Sequence, residues 1–352
     1  MLGQDGLWVD KHSPRFLDDH TVQTRVAGNL KKLAASDDMP HLLLYGPSGS
    51  GKKSLILSLL LAIYGEGVEK VRTISKEHTF QVSGRKVTVP FTHLASNYHV
   101  DMNPSAAGLK DRHIIQHFVT ELCSQRHANQ NFTYFTLVLN EANLLSSDAQ
   151  SALRSTMEKY SSRCRMIMHC TNLSKVLDPI RSRCLCIRVP PPSQAQIHSV
   201  LQEVAVKENI TLPEQFSRKI AAQSRGNLKK AILALQVAFA QQYPFAMDQN
   251  VPVPEWESYI QEIARDILAN PSLGTALSVR GKLYDLLANC IPASTILKRL
   301  TFDMLPNFSN NQMVEICGHA ATIDHNMATG GKEIMFLESF VLKVMKIRKA
   351  QQ

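Results

Sequence analysis

The amino-acid sequence predicts an α/β domain built on a parallel sheet, followed by two helical domains. Three observations lead to this fold class. A glycine-rich loop, GPSGSGKKS at residues 46–54, joins a short apolar segment to a longer one. Apolar strand-like segments then alternate with helix-like segments, a pattern typical of a parallel sheet covered on both faces. Beyond about residue 190 the apolar spacing is helical only.

The first predicted domain covers residues 1–190 and contains the alternating elements. The strand before the loop and the helix after it are followed by further helices and strands, and Gly65 is expected to end the first of these helices. In chain order the segments are HLLLY (strand), KKSLILSLLLAIY (helix), RHIIQHFVTEL (helix), YFTLVLNEANLL (strand), DAQSALRSTMEKY (helix), CRMIMHCT (strand) and CLCIRV (strand).

Two proline-rich breaks separate the remaining chain into helical parts. The first, VPPPSQAQ, forbids both a helix interior and a central strand, so we expect a small helical domain over residues 191–245. The second, YPFAMDQNVPVPEW, leads to a helical domain over residues 246–352. Within that domain, GKLYDLLANCIPASTILKRL has helical spacing interrupted at a proline and indicates packed helices.

Composition limits the classes of function. The formal net charge of +9 over 352 residues favours polyanionic partners such as nucleic acid, although a solvated basic surface explains it equally well. Seven cysteines without a C-x-x-C pair indicate reduced thiols rather than disulfides or zinc. The polar N-terminal segment does not resemble a signal peptide, and LILSLLLAIY is half the roughly 20 residues that span a bilayer. We therefore expect no membrane association.

The glycine-rich loop matches the phosphate-binding pattern G-x-x-x-x-G-K-[ST] except at its last position. Backbone N–H groups of such a loop and the following helix N-terminus bind phosphate, and the loop lysine reaches the terminal phosphates. The candidate nucleotide-binding residues in the loop are Gly46, Pro47, Ser48, Gly49, Ser50, Gly51, Lys52, Lys53 and Ser54.

Both residues that normally hold magnesium differ from the pattern. Lys53 stands where a hydroxyl is expected, and Asn140 stands where the second strand normally ends in an acid. Ser54 is one residue late, which turns its hydroxyl by about 100° on a helix. Glu141 occupies the position of a residue that polarises water, but it lacks a placed metal. The sequence therefore predicts nucleotide binding, no metal site, and little or no hydrolysis.

Six separated motifs carry a resemblance to a known family over nearly the whole chain. They are LWVDKHSP, GPSGSGKKS, SNYHVDMNPS, DAQSALRSTMEKY, PIRSRC and GNLKKAI. Together they resemble the small subunits of replication factor C, an AAA+ sliding-clamp loader. The GKK pair and the VEKVR and SNYHVDMNPSAAG stretches are most similar to the subunit called 3 in animals and 5 in fungi.

The resemblance implies an assembly and a cellular role. One large and four small subunits, this chain among them, would form an open spiral in the nucleus. Using ATP, that assembly would open the ring-shaped clamp proliferating cell nuclear antigen (PCNA) and load it at primer-template DNA. The three parts of the chain would then be an AAA+ nucleotide-binding domain, a lid domain and a collar domain. The bound nucleotide would be ADP or ATP.

The resemblance also implies roles for individual residues. Arg183 of the SRC motif would act in trans as the arginine finger for a neighbouring subunit's ATP. The alternative is that Arg181 and Arg183 only solvate the end of a helix. Val9 in the opening motif would contact the nucleotide. The two sensor positions fall on Thr171, with Asn172 one residue later, and on Lys229 in place of an arginine.

These correspondences suggest a purpose for a nucleotide site without its metal ligands. A subunit at the end of the spiral has a neighbour that needs its arginine, but no partner completes its own site. Its nucleotide would then stabilise structure, and Lys53 would neutralise phosphate charge in place of magnesium. The opening motif also departs from the family pattern, because His12-Ser13 replaces Tyr-Arg before the proline.

Contacts with DNA and clamp are less specific. Arg112 is the first candidate for a phosphate contact and Lys110 the second, and a solvated pair explains them equally well. The clamp contact would lie on the outer face of the first domain, with residues 68–91 as a candidate region. Two other classes of function stay open: an active ATPase whose metal is held by Glu141 and Ser54, and a DNA-damage or chromatin adaptor with a vestigial loop.

Overall fold

The computed structural model describes residues 6–36, 39–82, 85–124, 134–246 and 249–350. The chain divides into two compact units, Met1–Val251 and Pro252–Gln352. Among the described residues, no helix is both long enough and apolar enough to cross a membrane.

The first unit is built on a seven-stranded sheet of order β2-β3-β4-β5-β6-β1-β7. Strands β4, β5, β6, β1 and β7 are parallel to one another, which confirms the predicted α/β fold. The strands are β1 Leu42–Tyr45, β2 Arg72–Val82, β3 Arg85–Ala95, β4 His99–Met102, β5 Phe135–Leu139, β6 Cys164–Cys170 and β7 Leu185–Arg188.

Both faces of the parallel part of the sheet are buried. In β1, Leu43 packs into one apolar core while Leu42 and Leu44 pack into the other. In β6, Met168 packs into the same core as Leu43, and Ile167 packs into the core that contains Leu42 and Leu44. Because successive strand side chains point to opposite faces, this division requires helices on both sides of the sheet. That requirement explains the continuous apolar runs in the sequence.

Before residue 190, the described residues form six α-helices. Helix α3 is apolar all round, as expected for a helix between the phosphate-binding loop and the core, and Gly65 ends it with a φ of 74°. The helices are α1 Trp8–Lys11, α2 Thr24–Ala34, α3 Lys52–Tyr64, α4 Asp111–Ser124, α5 Ser147–Lys159 and α6 Asp178–Arg181.

An antiparallel hairpin extends the sheet at one edge, and the sequence analysis did not predict it. Strand β2 pairs with β3 from Arg72 opposite Ala95 to Val82 opposite Arg85, and β3 pairs antiparallel with β4. In the sequence analysis, residues 68–91 are named only as a candidate region for clamp contact. The available signal was the Ser83-Gly84 pair between two alternating segments, a common hairpin connection. Those two residues lie outside the described part of the chain.

Three helices follow the sheet and share a separate core within the first unit. They are α7 Gln194–Lys207, α8 Glu214–Gln223 and α9 Leu228–Gln241. Helix α7 begins where the proline run ends, because Ser193 and Gln196 form a capping box at its N-terminus. Their core centres on Phe216 and Leu235 and also includes Trp8 from the N-terminus. The N-terminal segment is therefore packed into this helical part.

The second unit is entirely helical over its described residues and has its own apolar core. The predicted break at Pro292 separates α11 from α12, with Pro292 at the N-cap position. The helices are α10 Glu255–Ala269, α11 Leu273–Ala288, α12 Ala293–Met304, α13 Asn310–Thr329 and α14 Glu333–Lys349.

Candidate nucleotide site

A pocket of about 800 Å³ lies where the sheet, helices α7 and α9, and the N-terminal segment meet. The loop residues Ser48–Ser54 line it, together with Val9, Asn140, Glu141, Thr171 and Lys229. The fold thus brings together most of the residues that the sequence analysis selected for nucleotide binding. Gly46 and Pro47 lie at the base of the same loop.

The glycines of the loop have geometric roles. Gly51 precedes α3 with a φ of 91°, and a Cβ there would meet nothing within 4 Å, so the loop leaves open space at the helix N-terminus. A Cβ on Gly46 would lie 2.0 Å from the carbonyl oxygen of Val189. The space above α3 and its exposed N–H groups fit a phosphate group.

Lys52 is buried within the loop. Its side chain is 7% exposed, and Nζ donates hydrogen bonds of 2.7 Å to the carbonyls of Gly46 and Pro47. Burial lowers the pKa of the Lys52 ammonium, and the negative charge of Glu141 offsets part of that shift. Lys52 is therefore a positioned cation at the floor of the pocket.

Lys53 belongs to a polar network that crosses three strands. Its Nζ lies 3.7 Å from Oδ2 of Asp101 at the end of β4. Oδ1 of Asp101 accepts a hydrogen bond of 2.5 Å from Nδ2 of Asn140, which follows β5. Oδ1 of Asn140 in turn lies 2.9 Å from Nε2 of His169 on β6. Asp101 is 6% exposed, so the only negatively charged member of this network is held out of water.

The amide at position 140 suits this network in a way that a carboxylate would not. It accepts from His169 on one side and donates to Asp101 on the other. An aspartate at the same place would face Asp101 at hydrogen-bond distance, and two ionised carboxylates that close require a proton or a cation between them. With Asn140 present, Asp101 pairs with Lys53 instead.

The network does not fit magnesium. Magnesium prefers oxygen ligands, whereas Lys53 offers an ammonium group and the amide oxygen of Asn140 is already bonded to His169. Ser54 Oγ lies 3.4 Å from Ser13 Oγ, so its hydroxyl is directed to the N-terminal segment. Within the described ranges, no three His, Cys, Asp or Glu side chains form a group that could hold a metal ion.

His169 is held neutral beside these cations. Burial lowers its pKa to about 4, Lys52 and Lys53 act in the same direction, and Asp101 opposes them. A neutral imidazole donates from Nε2 to Asn140, which fixes the orientation of the amide. Protonation would add another positive charge beside Lys52 and Lys53.

Glu141 lines the pocket in an uncommon backbone conformation. Its φ of 51° and ψ of 49° lie in the left-handed region, which is sparsely populated by residues other than glycine. The strand end therefore turns sharply so that the carboxylate follows Asn140 into the pocket. The surrounding structure sustains this strain through the hydrogen bond from Leu144 N–H to Glu141 O, at 2.9 Å.

The two sensor positions differ in their surroundings. Thr171 lines the pocket, and its N–H donates to Oδ1 of Asn143 at 3.0 Å. Asn172 instead accepts from the N–H and hydroxyl of Ser174 at 3.0 and 2.6 Å, which ties it into the following turn. Lys229 is exposed at the start of α9 and lines the pocket.

Helix α9 contacts the phosphate-binding loop directly. Leu228 N–H donates to the carbonyl of Gly49 at 3.2 Å, and a Cβ on Gly49 would lie 1.9 Å from Oδ1 of Asn227. Asn227 caps α9 through a 3.0 Å bond from Lys230 N–H. This close approach requires glycine at position 49 and places the N-terminus of α9 over the loop.

The remaining predicted residues lie on the surface of the first unit, outside the pocket lining. Arg183 donates to Glu158 and, at 2.8 Å, to the carbonyl of Pro179. Arg181 pairs with Asp178 on its own short helix. Arg112 and Lys110 are exposed near the start of α4. Their proposed roles all require a partner molecule.

The sequence analysis did not select Asp101, His169 or Glu208 as site residues. Asp101 lies within the quoted SNYHVDMNPS motif, and an acid next to the end of a strand was an available signal. His169 lies one residue before the end of the apolar strand β6, where a histidine is usually a packed core residue. Glu208, at the end of α7, pairs with Lys11 and His12 across the pocket wall.

Comparisons with known proteins agree with this geometry. The family model described as "Replication factor C subunit 3, C-terminal domain" matches residues 256–352, and the one described as "RCF1/5-like, AAA+ ATPase lid domain" matches residues 199–240. The chain is 46% identical to replication factor C subunit 5 of Oryza sativa subsp. japonica, covering 97% of this chain and 98% of the relative. It is 42% identical to replication factor C subunit 3 of Homo sapiens, covering 97% and 96%.

More distant similarities extend the comparison. Replication factor C subunit 5 of Saccharomyces cerevisiae is 37% identical, with 96% of this chain and 98% of the relative covered. Among solved structures, the Thermotoga maritima RuvB Holliday junction branch migration motor is similar with a TM-score of 0.51 at 15% identity. That match covers 78% of this chain and 87% of the other, and it supports the fold alone.

Stability should depend on pH through His169. The pKa of His169, about 4, lies below the ordinary value of 6.5. Between these two pH values His169 is therefore protonated in the unfolded chain but neutral in the folded chain. Stability from this group is therefore complete above pH 6.5 and falls as the pH drops, by about 2 kcal/mol at pH 5. Urea unfolding at pH 7.5 and pH 5 should show a loss smaller by this amount in His169→Gln than in the unaltered chain. Burial also lowers the pKa of His20, His41 and His99, and these three contribute equally in both proteins.

The control for this experiment is His325→Gln, at an exposed histidine in the second unit. It should retain the pH dependence of the unaltered chain. Equal pH dependence in His169→Gln and the unaltered chain would contradict the assignment of a neutral His169.

Proposed function

This chain belongs to the replication factor C small-subunit family of AAA+ clamp loaders, and we propose that it binds ADP or ATP without magnesium and hydrolyses it little or not at all. Family membership implies assembly with other replication factor C subunits. The AAA+ fold implies a nucleotide in the pocket of the first unit. The further properties below are our proposal.

One observation carries the proposal: an ammonium group stands at the position of the usual metal ligand. Lys53 follows Lys52 on the first turn of α3, and its side chain is 59% exposed toward the pocket that it lines. Two ammonium groups at one helix N-terminus supply positive charge that a phosphate group otherwise obtains from magnesium. The pair with Asp101, at 3.7 Å, keeps the second ammonium beside the loop.

Weak hydrolysis follows from the same arrangement. Phosphoryl transfer depends chiefly on electrostatic stabilisation of charge that develops on the transferred group, and a positioned metal normally supplies much of it. Glu141 lines the pocket and could polarise water, but the carboxylate that contacts Asn140, that of Asp101, is paired with Lys53. The nucleotide would then serve as a structural ligand that joins the loop to α9.

We further propose that Arg183 acts in trans on the ATP of a neighbouring subunit. Its position on the surface, outside the lining of this chain's own pocket, supports that role. Glu158 and the carbonyl of Pro179 hold the guanidinium at the end of α6, where a second molecule can reach it. A fixed arginine loses less conformational entropy when it meets a phosphate group.

The wider role follows from the family. We propose that the assembled complex loads PCNA at primer-template DNA in the nucleus, with Arg112 and Lys110 contacting DNA phosphates. Residues 1–190 would form the nucleotide-binding domain, 191–245 the lid and 246–352 the collar, a division supported by the family models for residues 199–240 and 256–352. Clamp contact by residues 68–91 remains part of this proposal, apart from Ser83 and Gly84, which lie outside the described residues.

Replacing Lys53 should change the metal dependence of binding. In the unaltered chain, ADP affinity measured by calorimetry should be equal, within about twofold, in magnesium and in EDTA, because the second cation belongs to the protein. Lys53→Thr should weaken binding in EDTA by about ten- to a hundredfold and should make it magnesium-dependent. Lys32→Thr, at an exposed lysine on α2, is the matched control. Unchanged affinity and metal dependence in Lys53→Thr would contradict the compensating role.

Removing Arg183 should affect a different subunit's site. In the assembled complex, Arg183→Ala should reduce single-turnover ATP hydrolysis at one site by about 10³- to 10⁵-fold, because an arginine finger contributes that much to the rate. The ADP affinity of this chain's own pocket should not change. Arg181→Ala, two residues away, is the control and should keep normal hydrolysis. Normal hydrolysis at every site of the Arg183→Ala complex would refute the role in trans.

Removing Arg112 should weaken DNA binding without altering sequence preference. A lost phosphate contact lowers the slope of log affinity against log salt by about 1. A salt titration of primer-template binding by the assembled complex measures this slope, with Arg218→Ala on α8 as a control distant in sequence. An unchanged slope in Arg112→Ala would show that Arg112 does not contact a DNA phosphate.

A further inference from the structure

The N-terminal strap, residues 8–15, connects the helical part of the first unit to the sheet. At its start Trp8 is buried among α7, α8 and α9, and the backbone N–H of Trp8 donates to Oε1 of Gln236 at 3.0 Å. At its end the carbonyl of Pro14 accepts from Ser58 Oγ at 3.3 Å, and Arg15 pairs with Glu69 at 2.6 Å. The strap is therefore attached to both parts that border the pocket.

Glu208 provides a central attachment for the strap. Its carboxylate lies 3.0 Å from Lys11 Nζ and forms a close hydrogen bond with Nε2 of His12. The side chains of His12 and Glu208 are only 8% and 14% exposed, so this pair is better shielded from water than a usual surface ion pair.

The negative charge of Glu208 does not stabilise its own helix, α7. Glu208 is the C-cap residue of α7, where the helix dipole disfavours negative charge. Desolvation raises the pKa of Glu208, but hydrogen bonds from Lys11 and His12 outweigh it and hold the pKa below its usual value. The carboxylate is thus stabilised by the strap and not by α7.

The same contact forms part of the pocket wall. Val9, Lys11 and His12 of the strap line the pocket opposite Val204 and Lys207 of α7. A molecule bound between them is enclosed on this side as long as the strap and α7 stay joined. Release through this side would require the strap to separate from α7, and therefore the contact with Glu208 to break.

We propose that Glu208 is a positioning residue that fastens the strap to α7 and thereby sets the rate at which bound nucleotide leaves. This inference rests on the proposed nucleotide binding in the same pocket. Glu208 acts through Lys11 and His12. Its loss should raise the dissociation rate far more than it changes the association rate, because the opening step limits release.

The test is a stopped-flow chase of the fluorescent nucleotide N-methylanthraniloyl-ADP from the purified full chain by excess ADP. Glu208→Gln keeps the shape of the side chain but removes its charge. Release should become about three- to tenfold faster, the effect of losing a shielded, charge-assisted hydrogen bond. Hydrogen exchange at the backbone amides of residues 8–12, measured without nucleotide, should also become faster in this variant.

Two further variants make the result specific. Glu214→Gln removes an exposed ion pair with Arg218 on α8 and should leave release within about twofold of normal. The double variant His12→Gln/Glu208→Gln should release nucleotide no faster than the faster single variant, because both changes break one contact.

The outcomes separate this inference from the proposed function. Unchanged release in Glu208→Gln, with or without faster exchange in the strap, would overturn the inference while leaving nucleotide binding intact. Additive effects of the two single changes would also overturn it. Failure of the unaltered chain to bind the fluorescent nucleotide would overturn the proposed function, and this inference with it.

Discussion

The parallel alignment of β4, β5, β6 and β1 is the constraint on which the site depends. Parallel strands end at the same edge of a sheet, so residues that follow them are brought together whatever their distance in sequence. Met102 lies opposite Leu139, and Leu139 lies opposite Met168. This register places Asn140 level with His169, while Asp101 lies level with Val138, two residues earlier, and reaches Asn140 through its side chain.

Electrostatics then determines which chemistry this row can support. In the part of the chain that the structure describes, the pocket is lined by Arg15 and five lysines, among them Lys52 and Lys53, against three carboxylates, those of Asp19, Glu141 and Glu203. The buried carboxylate of Asp101 pairs with Lys53. Asn140 and neutral His169 add hydrogen bonds without adding charge. We propose that a site with this balance attracts phosphate groups, and among the described residues no three His, Cys, Asp or Glu side chains form a group that could hold a hard divalent cation. Our proposal of retention without turnover is a consequence of that balance.

The pocket is also closed by contacts that have no part in phosphate chemistry. Helix α9 touches the loop through Leu228, and the strap joins α7 through Glu208. A nucleotide in this position would contact the sheet, the helices and the strap at once, and each contact would stabilise the others. Binding energy would then be used to hold parts of one chain in a defined arrangement.

The sequence by itself determined the phosphate-binding loop, the altered metal positions and most helices and strands, because these depend on neighbouring residues and short periodic patterns. It also carried six motifs that indicated the family. The tertiary structure decided the contacts of Lys53 and Asn140 with Asp101 and the hydrogen bond between His169 and Asn140. It also decided the hydrogen bond between His12 and Glu208 and the pairing of β2 with β3 at the edge of the sheet. The bonds of Asn140 with Asp101 and His169 span 39 and 29 residues, and that of His12 with Glu208 spans 196. No local pattern encodes such separations, because strand order and helix packing alone decide which distant side chains meet.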